Sequence, residues 1–120
     1  SLYTDKNVFC KMLYDQKKID SYGYQIYNMW FEHFQEFIKI SKFIYLKTDF
    51  ETCFNRVKKR QRQGENEISK EYLQLNNKYH DDWLLNENDV LILDGNQDCI
   101  ENPELLNNFS KQIINHITSS

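Results

Sequence analysis

Two short runs without a polar side chain other than one phenol, Phe43-Ile44-Tyr45-Leu46 and Val90-Leu91-Ile92-Leu93, constrain this chain more than anything else in it. Each is aromatic or branched throughout, the composition of a strand buried on both faces. Two helical patterns lie between them and one follows. Strand, helix, helix, strand, helix requires a crossover, so the runs are expected to pair in parallel within an α/β sheet. Two strands are too few for such a sheet. Both expect neighbours and helices on each face, yet the residues before Phe43 offer no further strand. The pattern therefore predicts that residues 1–120 are the C-terminal part of one larger domain whose N-terminal half lies outside this sequence.

The segment after the first run is the most informative for chemistry. Thr48 stands where a helix N-cap belongs, and Glu51 completes a capping box. Phe50, Cys53, Phe54 and Val57 form an apolar stripe, leaving Arg56, Lys58 and Lys59 on other faces. Cations at a helix C-terminus complement the macrodipole, and most such runs are no more than solvated surface. Here the basic run continues to Arg60 and Arg62, then passes through Gly64, Glu65 and Glu67 before Ser69 starts another helix. A mobile, mixed-charge loop at 58–68 with two arginines can close over phosphates, because each guanidinium fork binds two oxygens and stays charged.

The remaining pattern is helical. Residues 2–14 read as a helix entered from a turn at Thr4 and Asp5. A second helix, capped by Asp20 or Ser21, runs to Ile38 with the stripe Ile26, Tyr27, Trp30, Phe31, Phe34 and Ile38, read as core or subunit interface. A third covers residues 69–85. Gly95 and Asn96 make the exit turn of the second strand, and Pro103 opens the last helix at a tolerated first-turn position. His33, His80 and His116 sit singly on helices and read as structural or surface groups.

At 120 residues, 40% apolar, the chain suffices for one small domain and no more. Fifteen basic against eighteen acidic residues give a net charge of -3, which excludes a general nucleic-acid binder. Cys10, Cys53 and Cys99 are too far apart for a zinc site and odd in number, so they read as reduced thiols. No leader peptide or membrane-length apolar run occurs. A soluble cytoplasmic chain is expected, or a mitochondrial one if a targeting segment precedes Ser1.

Five pieces in order resemble one family: the opening Ser-Leu-Tyr-Thr-Asp-Lys-Asn-Val-Phe-Cys; Phe-Ile-Tyr-Leu-Lys-Thr with Glu-Thr-Cys-Phe-Asn-Arg-Val-Lys-Lys-Arg-Gln-Arg; Glu-Tyr-Leu at Tyr72; Asp-Asp-Trp-Leu-Leu; and Val-Leu-Ile-Leu-Asp-Gly-Asn. Together they resemble the deoxyribonucleoside kinases, closest to those for deoxycytidine, deoxyguanosine and deoxyadenosine, over essentially the whole chain. The resemblance implies a P-loop kinase fold in three layers and transfer of a γ-phosphate from ATP or another nucleoside triphosphate to a deoxynucleoside 5′-hydroxyl. That is nucleotide salvage by a transferase, with Mg2+ held mainly by residues outside this chain. It implies a homodimer contacting through the first two helices, with no nucleic-acid or membrane partner.

By the same resemblance, Arg56 and Arg60 contact the donor nucleotide, and Arg60 and Arg62 face the phosphates as the catalytic pair. Gln97, Asp98 and Cys99 match the loop that touches the donor's adenine, with Cys99 where an aromatic is usual. Glu65 matches the lid glutamate that accepts from the deoxyribose hydroxyl. Asp5 matches a base-recognition position, although Lys6 follows it where arginine is usual. Locally, Glu65 is also an ordinary loop acid and Asp5 an ordinary turn acid.

None of Gly23, Gly64 or Gly95 begins a GxxxxGK[S/T] phosphate loop, and the family's general base is absent, so these residues alone are expected not to turn over. Two other classes fit part of the pattern. A thymidylate kinase or similar P-loop nucleotide kinase shares the strand and basic lid but takes a monophosphate and gives no reason for Tyr3-Thr4-Asp5. A non-catalytic helical module would instead use the aromatic stripe to bind a partner.

Overall fold

A computed structural model describes residues 1–119 of the chain. Strands β1 (Phe43–Lys47) and β2 (Val90–Asp94) form a parallel pair, in register from Phe43 opposite Val90 to Lys47 opposite Asp94. Helices α4 (Phe50–Arg60) and α5 (Lys70–Leu84) make the crossover, and α6 (Pro103–Thr118) follows β2. The parallel reading thus holds. Burial on both faces does not hold within these residues: Tyr45 and Leu93 are buried, whereas Ile44, Leu46 and Ile92 are about half exposed. A pair this narrow is covered only where a helix reaches it. On the Tyr45 side that helix is α5, to which the phenol donates a hydrogen bond at Asp81 Oδ1, 2.7 Å away.

The chain is helical from Leu2, not entered from a turn at Thr4 and Asp5. Ser1 Oγ accepts from the Thr4 amide at 3.2 Å, so Ser1 is the cap. The short α1 (Leu2–Thr4) then passes into a π-helical turn (Asp5–Cys10) and into α2 (Lys11–Asp15). The π turn widens the helix by one residue and shifts which side chains face inward, and no residue type announces it. Val8 and Met12 end up buried with Tyr79 of α5, and Leu75 and Trp83 pack against them. This small core lies between the first helical segment and α5.

In α3 (Ser21–Gln35), Asp20 accepts from the Gly23 amide at 2.7 Å, as expected of a cap. The helix stops at Gln35, short of Ile38. Of its aromatic stripe only Phe31 is buried, so the stripe is not core within the described residues.

The cap of α4 also differs from expectation. Asp49, not Thr48, occupies the N-cap, and no side chain closes the box with Glu51. Tertiary partners have taken over: the Thr48 carbonyl accepts from Asn77 Nδ2 at 3.0 Å, and the Asp49 amide donates to Asn96 Oδ1 at 2.9 Å. Ser69 caps α5 and Asn102 caps α6 through their side chains. Near the end of α6, His116 Nε2 lies 3.1 Å from the carbonyls of Phe43 and Asp89, a structural role. Among the described residues no helix is long and apolar enough to cross a membrane.

Candidate functional site

Parallel strands present their carboxyl ends together, and that is where α/β proteins bind ligands. Here β1 and β2 end side by side at Lys47 and Asp94, and the exit turn of β2 folds back over β1. The Gly95 amide donates to the Lys47 carbonyl at 2.7 Å. A Cβ on Gly95 would meet Thr48 Oγ1 at 2.0 Å and Leu46 Cγ at 3.0 Å, so this close approach requires glycine.

From α4, Arg56 reaches the same turn. Its Nη1 donates to the Gly95 carbonyl at 2.6 Å and its Nη2 to the Asn96 carbonyl at 3.3 Å. The Asp94 carboxylate accepts from the Asn96 amide at 2.9 Å and from Gln97 Nε2 at 3.2 Å. Those hydrogen bonds, the backbone one foremost, hold its carboxyl below the usual carboxylate range. Asp98 Oδ1 accepts from the Ile100 amide at 2.9 Å, shaping the next turn.

Between α4 and this loop lies a cavity of about 490 Å³ whose lining includes Arg56, Arg60, Gln97, Asp98 and Cys99. Leu46, Ile100 and Phe109 give it an apolar side, and Lys59 adds a further cation. An apolar wall with a few placed polar groups, in this size range, suits a small organic ligand. Of the six residues expected at the donor, all but Arg62 line one cavity, although some forty residues separate the two groups in sequence.

The other expected residues are placed differently. Arg60 is engaged by Glu65 along one edge of its guanidinium, Nε donating to Oε2 at 3.1 Å and Nη2 to Oε1 at 2.5 Å. Gln61 ends α4 in the left-handed region, and the Glu65 amide donates to the Arg62 carbonyl at 3.2 Å, turning the loop back. The Arg62 side chain is exposed and makes no hydrogen bond or ion pair among the described residues. Glu65 faces a second cavity, between α4 and the start of α5. Asp5 lies in the π-helical turn, where it accepts a short hydrogen bond from Tyr27. Asp5, expected with Glu65 at the acceptor, does not line the cavity that Glu65 faces.

Two partnerships had no local signal in the sequence. Lys47 Nζ sits 2.7 and 2.6 Å from the Asp81 oxygens, and Tyr45 donates to the same carboxylate. Burial, and then this bond, push the Tyr45 phenol well up. Asn96 serves the Asp49 amide and Arg56 at once; its turn was legible, its partners were not. All three cysteines are free, and burial raises the thiols of Cys10 and Cys53. Among the described residues no three His, Cys, Asp or Glu side chains converge on a metal position.

The deoxynucleoside kinase family model matches residues 1–118. The chain belongs to the deoxynucleoside kinase family. It is similar to the probable deoxycytidine kinase of fowlpox virus, 36% identical over 84% of this chain and 46% of that one. It is similar to deoxycytidine kinase 2 of Gallus gallus, 33% identical over 82% of this chain and 43% of the relative. It is also similar to the mitochondrial thymidine kinase 2 of Homo sapiens, 32% identical over 71% and 33%. The matched stretch is thus less than half the length of each of these relatives. The deoxynucleoside kinase fold is a P-loop kinase fold, and the parallel β1–β2 pair with its crossover helices is the α/β arrangement such a fold contains.

Proposed function

We propose that this chain supplies the lid and the donor-binding loop of a deoxynucleoside kinase, which transfers the γ-phosphate of a nucleoside triphosphate to the 5′-hydroxyl of a deoxynucleoside. The observation that carries the reading is the convergence of Arg56, Arg60, Gln97, Asp98 and Cys99 on one cavity. Leu46, Ile100 and Phe109 suit the flat face of a base, and Arg60 suits the phosphates beyond it. Family membership supports the same class.

Phosphoryl transfer needs alignment and charge neutralisation more than covalent help. Arg60 and Arg62 are assigned to the triphosphate, Glu65 to the deoxyribose hydroxyl and Asp5 to recognition of the base. In this reading Arg60 exchanges the Glu65 carboxylate for phosphate oxygens as residues 58–68 close. Mg2+ would supply charge neutralisation to the phosphates; among the described residues no acidic cluster fits it, and its ligands and the phosphate cradle are assigned mainly to the N-terminal half of the domain. The cytoplasm is the assigned compartment and a homodimer the assigned state.

The test is a phosphorylation assay of the intact protein with ATP and Mg2+, offering deoxycytidine, deoxyguanosine, deoxyadenosine and thymidine. Formation of a 5′-monophosphate from at least one is expected. Phosphorylation of deoxynucleoside monophosphates alone, or of nothing, would sink the proposal.

A further inference from the structure

Arg56 reads in sequence as one more cation on a basic helix, and family resemblance makes it a direct ligand of the donor. Its guanidinium is already committed, however, to two successive carbonyls, those of Gly95 and Asn96. The turn carrying them is fastened at two further points. The Gly95 amide donates to the Lys47 carbonyl, and the Asn96 side chain accepts from the Asp49 amide. Gln97, Asp98 and Cys99 follow directly and line the cavity beside Arg56. Bridging consecutive carbonyls takes a planar fork, which the point charge of lysine does not reproduce.

We propose that Arg56 is a positioning residue: by clamping the Gly95–Asn96 turn it fixes the main chain of the loop that meets the donor's base, and it does not neutralise the triphosphate. The inference rests on reading this cavity as the donor site. It divides the basic face of α4 into two tasks, with Arg56 serving the base through the loop and Arg60 serving the phosphates.

The experiment is calorimetric titration of the intact protein with a non-hydrolysable ATP analogue and, separately, with inorganic tripolyphosphate, which has no base. Wild type, Arg56→Lys and Asn96→Ala are compared; both positions are exposed, so folding should survive, and thermal melting checks it. Both variants are expected to weaken the nucleotide about tenfold, the effect of losing one hydrogen bond to a charged group or loosening the turn it holds, while tripolyphosphate keeps its wild-type affinity. Equal weakening of both ligands in Arg56→Lys would make Arg56 a direct phosphate ligand and overturn the inference. Unchanged nucleotide affinity in either variant would overturn it too. A wild type that binds neither ligand would overturn the donor-site reading itself, a separate failure visible before any variant is compared.

Discussion

Arg60 and Glu65 neutralise each other across the tip of the α4–α5 hairpin, two parallel hydrogen bonds joining guanidinium to carboxylate. One is assigned to the donor's phosphates and the other to the acceptor's sugar, so each ligand must draw its residue out of this pair. Whichever binds first releases the group the other needs. Donor and acceptor binding are therefore expected to reinforce each other about fivefold or more, the lower range of ordinary site coupling. Titrating deoxynucleoside with and without a non-hydrolysable triphosphate measures this directly. In Glu65→Gln the coupling should largely vanish. The pair is partly exposed, so the same change should cost less than about 1 kcal/mol of stability.

The exposed Arg62 side chain makes no hydrogen bond or ion pair among the described residues, so truncating it should leave stability within about 0.5 kcal/mol of wild type. Its assigned work is in the transition state. Arg62→Ala is expected to lower kcat about a hundredfold or more, the scale of losing one preorganised charge-stabilising donor. Steady-state kinetics beside a thermal melt separate the two effects, and a kcat within threefold or so of wild type would remove Arg62 from the catalytic assignment.

Gly95 is buried under Thr48, where an added methyl has no room. Gly95→Ala should destabilise by about 1–3 kcal/mol, the usual cost of overpacking, because the new Cβ would meet the Thr48 hydroxyl at 2.0 Å, with Leu46 Cγ at 3.0 Å and the Lys47 main-chain carbonyl at 3.1 Å crowding the same spot. Denaturant melts report it.

Three tyrosines donate to aspartates: Tyr27 to Asp5, Tyr45 to Asp81 and Tyr79 to Asp15. All three phenols are raised. Tyr79 is pushed from 10.0 up to about 12, chiefly by its bond to Asp15 and then by burial. The folded chain holds that proton more tightly than the unfolded one. The contribution is therefore complete below pH 10 and lost as pH rises from 10 towards 12. Stability should fall across this window, with tyrosinate absorbance appearing as the fold melts. Tyr79→Phe should cost about 1 kcal/mol at neutral pH and flatten that alkaline decline.

Much of the architecture was legible because it rests on local rules. Branched apolar runs at Phe43 and Val90 specified strands, their helical spacing forced a parallel crossover, and Asp20, Ser69 and Pro103 marked helix starts through their own short-range chemistry. The basic tip from Arg56 to Arg62 was equally plain, since its meaning lies in consecutive residues. The errors fell where a distant group outcompeted a near one. Thr48 lost the cap of α4 because Asn96 and Asn77, far along the chain, satisfy its surroundings. The first helix hid a π turn because packing of Val8 and Met12 on Tyr79 sets its phase, and no side chain encodes that alone.

The sequence by itself determined the element order, the parallel pairing and where positive charge collects, because these follow from backbone preference, periodicity and charge. Only the tertiary structure decided that Arg56 is held by the carbonyls of Gly95 and Asn96, that Arg60 is paired with Glu65, and that Lys47 and Tyr45 share Asp81. Each is a hydrogen bond whose partner is chosen by three-dimensional proximity, and a donor's identity says nothing of which acceptor the fold will bring within 3 Å or so of it.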